Sequence, residues 1–224
     1  MPSNPAPATP PNEAYVWTWL PGQTSPVVAG RLAKAPGGTY VFNYGQSYLA
    51  RADAISLNDR ELPLQAGAQK LLPGLSMPGC IRDGSPDAWG RRVIINRTMG
   101  LTGAAAAAVD LDELTYLIES GSDRIGALDF QTSSSVYTPR AGQAAPLAML
   151  LQAAEKVEQG VPLTPELDAA LRHGSSIGGA RPKAMIEDGD KKLIAKFSAS
   201  NDLYSVVKAE FIAMRLAAEC GLSV

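Results

Sequence analysis

Histidine and cysteine are nearly missing from this chain, which has one histidine, His173, and two cysteines, Cys80 and Cys220, in 224 residues. There is no Cys-x-x-Cys pair and no Cys/His spacing of the kind that holds zinc, and two cysteines do not make a disulfide framework. Catalysis built on histidine is confined to that one residue. An excess of either charge is missing too: 20 Lys plus Arg stand against 22 Asp plus Glu, a net charge of −2. So even a balance argues against a chain whose main work is gripping nucleic acid or an anionic membrane through bulk charge, while leaving room for a local basic patch. No run approaches the ~20 apolar residues of a membrane helix. The opening MPSNPAPATPPNEA lacks the basic start and apolar core of a signal peptide, so the expected compartment is the cytoplasm. What the chain does have is apolar material, 46% hydrophobic against 19% charged. That is enough for a sizeable core, in one large domain or two small ones at about 150 residues each.

The prolines Pro2, Pro5, Pro7, Pro10 and Pro11 make residues 1–13 a flexible or polyproline-like tail. From Tyr15 the pattern turns to strands. Tyr15–Leu20 stops at Pro21-Gly22, Pro26–Lys34 stops at Ala35-Pro36-Gly37-Gly38, and Thr39–Tyr44 places Tyr40, Phe42 and Tyr44 at period two. Short strands with tight turns predict an antiparallel sheet. Its aromatics (Tyr15, Trp17, Trp19, Tyr40, Phe42, Tyr44, Tyr48) fit the core of that sheet better than a stacking platform for bases. Residues 58–87 read as a long loop wrapping the sheet. Ser85-Pro86-Asp87 then announces a helix to about Thr98, with Ser85 as N-cap and Trp89 and Val93 on one face. Arg91, Arg92 and Arg97 on that helix fit a solvated face or a phosphate-binding patch. Residues 103–108 are a low-complexity spacer or helix end. Asp110–Ser120 is a helix with Asp110 and Glu113 as a capping box and Gly121 as its stop, and Ile125–Gln131 returns as a strand.

The polar stretch 132–142 is the best candidate boundary. Beyond it come helices over about Pro146–Gln159 and from Thr164, a glycine-rich segment from His173 to Lys183, strands Lys183–Glu187 and Lys192–Ser198 joined by Asp188-Gly189-Asp190, and a helix over about Ser205–Cys220. The fold expected is α+β, an antiparallel-sheet subdomain over 14–135, a linker over 136–142 and a smaller unit over 143–224.

A glycine-rich segment, a hairpin with a lysine in its second strand, and a helix bearing a glutamate form the layout of a kinase N-lobe. Glycines let backbone N–H groups close over phosphates, a fixed lysine neutralises phosphate charge, and a glutamate on the next helix holds that lysine. The parts here are Gly178 and Gly179, Lys196 and Glu210. Each has a plainer reading: a turn, an exposed edge-strand lysine, and the wet face of a helix. Against the last stands the apolar run around Glu210 (Val206, Val207, Phe211, Ile212, Met214, Leu216). The segment is not a Walker A loop, because Gly174-x4-Gly179 is followed by Ala180-Arg181, and it does not match G-x-G-x-x-G.

The run Ser176-Ile177-Gly178-Gly179-Ala180-Arg181-Pro182-Lys183 resembles the glycine-rich loop of the HipA family of serine/threonine kinase toxins. Lys196-Phe197 and Ala209-Glu210-Phe211 follow at fitting distances. Val41-Phe42-Asn43-Tyr44 with Tyr48-Leu49-Ala50, Leu62-Pro63-Leu64, Pro86-Asp87-Ala88-Trp89-Gly90-Arg91 and Arg124-Ile125-Gly126-Ala127 resemble landmarks of the family's N-terminal subdomain.

The resemblance implies an ATP- and Mg²⁺-dependent kinase of a bacterial type II toxin–antitoxin system. Its substrates would lie in the translation machinery, including aminoacyl-tRNA synthetases. Its partner would be a HipB-like antitoxin, through which alone it would meet DNA. By the same resemblance Ile177, Gly178, Gly179, Ala180, Lys183, Lys196 and Glu210 would bind nucleotide, and Ser176 would be the autophosphorylation position. The catalytic residues, by contrast, are not there to carry over. After Lys196 only 28 residues follow, with Asp202, Glu210 and Glu219 as their acids. None sits in a catalytic loop that could supply a base and Mg²⁺ ligands. The chain therefore reads as the N-terminal half of such a kinase, without its C-lobe, and is expected to be inactive alone. The rival expectation is a non-catalytic module that docks on a separate C-lobe or antitoxin and regulates it.

Overall fold

The computed structural model describes residues 10–101, 105, 106, 108–140, 145–171, 178–189 and 191–224. Residues 1–9, 102–104 and 107 around the alanine-rich spacer, 141–144, 172–177 and 190 in the hairpin turn lie outside them. The fold is α+β. A four-stranded antiparallel sheet, in the order β3-β2-β1-β4, is built from β1 (Glu13–Thr18), β2 (Val27–Lys34), β3 (Tyr40–Tyr44) and β4 (Leu128–Gln131). The period-two aromatics behave as the alternation requires, since Tyr40, Phe42 and Tyr44 are all buried. Phe42 meets Tyr44 edge-on at 4.8 Å, and Tyr44 stacks on Tyr48 at 5.7 Å. Both tyrosine hydroxyls are satisfied, by Leu62 O at 2.6 Å and Ile55 O at 2.9 Å. Gly30 is needed where β2 bulges against β1, because a Cβ there would stand 2.2 Å from Asn43 O.

The long loop after β3 does wrap the sheet, and it contributes Leu62, Met77 and Ile81 to the core. Two single-turn helices flank it, α1 (Gln46–Leu49) and α2 (Gly79–Arg82). The α2 turn was not expected from sequence. It is held by the Glu61 carboxylate, which accepts the Cys80 N–H at 3.0 Å.

Helix α3 (Ala88–Met99) starts two residues later than expected, with Asp87 at its N-cap. Ser85 does not cap it; its hydroxyl donates instead to Glu113 at 2.8 Å. Nor do Asp110 and Glu113 form a capping box. The next helix, α4 (Glu113–Glu119), is capped by Asp112, which accepts from Leu114 N–H at 3.0 Å. Glu113 is drawn away by Arg91 at 2.7 Å. The α3 arginines are not a free phosphate patch, because Arg91, Arg92 and Arg97 pair with Glu113, Glu158 and Glu119; Arg92 stays exposed, while Arg91 and Arg97 are partly covered. The strand expected over Ile125–Gln131 forms only at Leu128–Gln131.

Within that strand, Asp129 is fully buried in a polar knot. It receives hydrogen bonds from Ser122 Oγ at 2.7 Å, Gln131 Nε2 at 2.8 Å, Arg140 Nη2 at 3.1 Å and Arg124 Nε at 3.2 Å.

Helix α3 serves two cores. Ile94 and Ile95 pack with Tyr116 of α4, whereas Trp89 and Val93 enter a second core. That core is built from α5 (Leu147–Gln159), α6 (Pro165–Leu171) and a hairpin of β5 (Lys183–Asp188) and β6 (Lys191–Lys196). The last helix, α7 (Val206–Glu219), has no buried residue and leaves Phe211, Ile212 and Leu216 more than half exposed. Large apolar side chains left open on a helix that also carries Lys208, Glu210 and Arg215 form an amphipathic surface that suits a covered position.

Candidate functional site

The hairpin sets the geometry of the site. Lys183 stands directly opposite Lys196 in the β5–β6 register, so both side chains leave the same face. Lys196 donates from Nζ to Glu210 Oε1 on α7, with both side chains nearly half exposed. Lys196 is thus an exposed lysine on an edge strand and Glu210 lies on a wet helix face, as the plainer readings expect, yet the two side chains are paired with each other. Lys183 differs from Lys196 in being only 5% exposed. Burial lowers its pKa; the Asp87 charge opposes that shift, while Lys196, Arg181 and Arg92 reinforce it.

The two glycines before the hairpin carry these groups at close quarters. A Cβ on Gly178 would lie 2.9 Å from Asp87 Oδ2, and one on Gly179 would lie 2.6 Å from Lys183 Nζ. Gly179 also has a φ of +110°, a value that L side chains rarely adopt. Gly179→Ala is expected to cost about 1–3 kcal/mol through backbone strain and displacement of Lys183. Urea unfolding would check this, and a wild-type midpoint would show that the loop is not held in this conformation.

Helix α3, remote in sequence, grips the loop directly. The Gly179 N–H donates to Asp87 Oδ2 at 2.5 Å, and Trp89 N–H donates to Gly179 O at 3.3 Å. Arg92 Nη2 donates to Ala180 O at 2.7 Å, and the Trp89 indole N–H donates to Lys183 O at 2.9 Å. Sequence reasoning saw Pro86-Asp87-Ala88-Trp89 as a helix start and a family landmark and missed this role. No local signal could reveal a contact spanning 92 residues.

Of the sequence-predicted residues, Gly178, Gly179, Ala180, Lys183, Lys196 and Glu210 come together around the hairpin, Ala180 through its carbonyl alone. Ser176 and Ile177 lie outside the described residues. Beside Lys196 opens a cavity of about 300 Å³ lined by Leu151, Ala154, Glu155, Phe197, Ser198 and Val207.

Chemically, two ammonium groups and a backbone N–H make an anion-binding arrangement. They fit the phosphates of a nucleotide. The acids do not fit Mg²⁺: Asp202 is bonded to Arg181, and Glu210 is bonded to Lys196. Among the described residues no group of three or more His, Cys, Asp or Glu is placed to hold a metal ion. Among them, too, no helix is long and apolar enough to cross a membrane.

Two protein-family models match the chain. Residues 23–131 match the HipA N-terminal domain, a span that takes in β2, β3, β4, α3 and α4 but not β1. Residues 175–224 match the HipA-like C-terminal domain, which covers the glycine loop, the hairpin and α7. No curated protein matches the chain. With the two domains in this order and the glycine loop, Lys196 and Glu210 inside the second, the chain resembles the HipA family in both its parts.

Proposed function

We propose that this chain is the nucleotide-phosphate-binding part of a HipA-like toxin, an ATP-dependent serine/threonine protein kinase. Its substrate belongs to the translation machinery, and a HipB-like antitoxin neutralises it and supplies its only link to DNA. The observation that carries the reading is the Lys196–Glu210 pair, on the same hairpin face as Lys183, which itself lies against Gly179. In this reading Lys196 neutralises phosphate charge, Glu210 orients Lys196, and Lys183 with the Gly179 N–H receives phosphate oxygens. Bound ATP would supply the γ-phosphoryl group. These residues bind and orient it but offer no base for the substrate hydroxyl. Ser176, next to the loop, is the self-phosphorylation position, where added charge would oppose phosphate binding.

The expected result is that the 224-residue chain, incubated with radiolabelled ATP, Mg²⁺ and candidate synthetases, transfers no phosphate. Steady turnover that is lost in Lys196→Ala would refute this assignment of roles. In a chain complemented with a C-lobe, Lys196→Met and Glu210→Gln should be coupled in MgATP affinity by about 1 kcal/mol or less, because the pair is wet. Additive effects would show that Glu210 does not hold the lysine.

One observation favours a second reading, a non-catalytic module that docks on a separate C-lobe or antitoxin: the uncovered apolar side chains of α7. Restoration of phosphate transfer by an added C-lobe separates the readings, since only the first requires it.

A further inference from the structure

The anion-binding set around Gly179 already holds an anion. Asp87 Oδ2 accepts the Gly179 N–H at 2.5 Å and lies 2.9 Å from the place of a Cβ on Gly178. Lys183 Nζ lies 2.6 Å from the place of a Cβ on the next residue, and the Asp87 charge acts on it. Carboxylate, amide and ammonium thus converge on two consecutive glycines.

We propose that Asp87 is an internal occupant of the phosphate site, a carboxylate from the N-terminal part that must leave the Gly179 N–H before a phosphate oxygen can take it. This rests on the nucleotide reading above and goes further, because it makes nucleotide binding and the α3 grip on the loop mutually opposed.

The physical reason is twofold. A single N–H gives one good hydrogen bond, so two acceptors compete for it. A carboxylate and a phosphate oxygen within a few ångströms of each other also repel, and a buried lysine cannot neutralise both. The opposition is reciprocal: whatever strengthens the α3 grip weakens phosphate binding by the same factor. The remaining contacts of the grip suit a partial release. Trp89 N–H reaches Gly179 O at a long 3.3 Å, whereas Arg92 and the Trp89 indole hold carbonyls of Ala180 and Lys183 that face no phosphate competitor. Phosphate would therefore free the loop at Gly179 while the hairpin stays docked.

The test uses the full 224-residue chain with tripolyphosphate and MgATP as probes, in wild-type, Asp87→Asn and Asp87→Ala proteins. Asp87→Asn keeps the shape and removes the charge, so it decides the matter if the alanine variant folds poorly. Asp87→Ala is expected to bind tripolyphosphate about tenfold more tightly than wild type, the worth of one lost charge-assisted competitor, with Asp87→Asn between them. Without ligand, hydrogen exchange at the Gly179 amide should be faster in both variants. Equal or weaker binding by the variants overturns the competition while leaving the nucleotide reading intact. No binding of either probe by any of the three chains overturns both. Gly179 exchange unchanged by Asp87→Ala overturns the latch itself.

Discussion

Asp129→Ala is expected to destabilise the sheet subdomain by about 3–5 kcal/mol, because it leaves two arginines facing a buried site with no counter-charge. Asp129 is fully buried, and the Arg124 side chain is only 4% exposed. Burial by itself pushes the Asp129 carboxyl up. The Ser122 hydroxyl, the Arg140 and Arg124 guanidiniums and the Gln131 amide outweigh it, so the pKa ends below the usual value. A carboxyl depressed in the folded state stabilises the protein above its unfolded pKa, about 4. That contribution drains as the pH falls through the lower, folded value. Asp129→Asn should therefore unfold at lower urea than wild type at pH 7, with the gap closing at low pH. A gap that persists undiminished at low pH would mean that packing, not charge, carries the effect. A wild-type midpoint for Asp129→Ala would mean that the knot contributes nothing.

Trp89→Ala should cost a similar amount, about 3–5 kcal/mol, but in the second core. The indole is 1% exposed, packs among residues of α5, α6 and the hairpin, and donates to Lys183 O at 2.9 Å. Truncation opens a cavity and orphans a buried carbonyl. Trp89→Phe separates the two effects: it keeps most of the ring volume and loses the N–H, for about 1–3 kcal/mol. Urea or thermal unfolding of both variants checks this. If Trp89→Phe is as damaging as Trp89→Ala, the hydrogen bond rather than the packing is what holds the hairpin.

The elements that were legible in the sequence are those whose signal is local. Tyr40, Phe42 and Tyr44 announce β3 by alternation, and Pro21-Gly22 and Gly37-Gly38 mark the turns of the sheet. The Lys196–Glu210 pair was legible through the family layout, because its parts lie 14 residues apart. What misled was polarity with a distant partner. Ser85 and Glu113 look like caps until each other and Arg91 offer a better bond. Arg91, Arg92 and Arg97 look like a free phosphate patch until Glu113, Glu158 and Glu119 arrive from other helices. Asp129 looks like an ordinary strand residue, and Asp87 an ordinary helix start. Their roles exist only once chain segments remote in sequence meet.

The double duty of α3 has a consequence for how the molecule comes apart. In sequence, α3 lies well before residues 136–142; in space, it is a wall of the second core. A cut in that stretch severs the chain without separating two finished bodies. One piece keeps α3 with Trp89 and Val93 turned to water. The other keeps the socket they filled, together with the carbonyls of Gly179, Ala180 and Lys183 that α3 had satisfied. Each piece is thus the template for the other's missing surface, and fragments made there have a built-in reason to find each other again in trans.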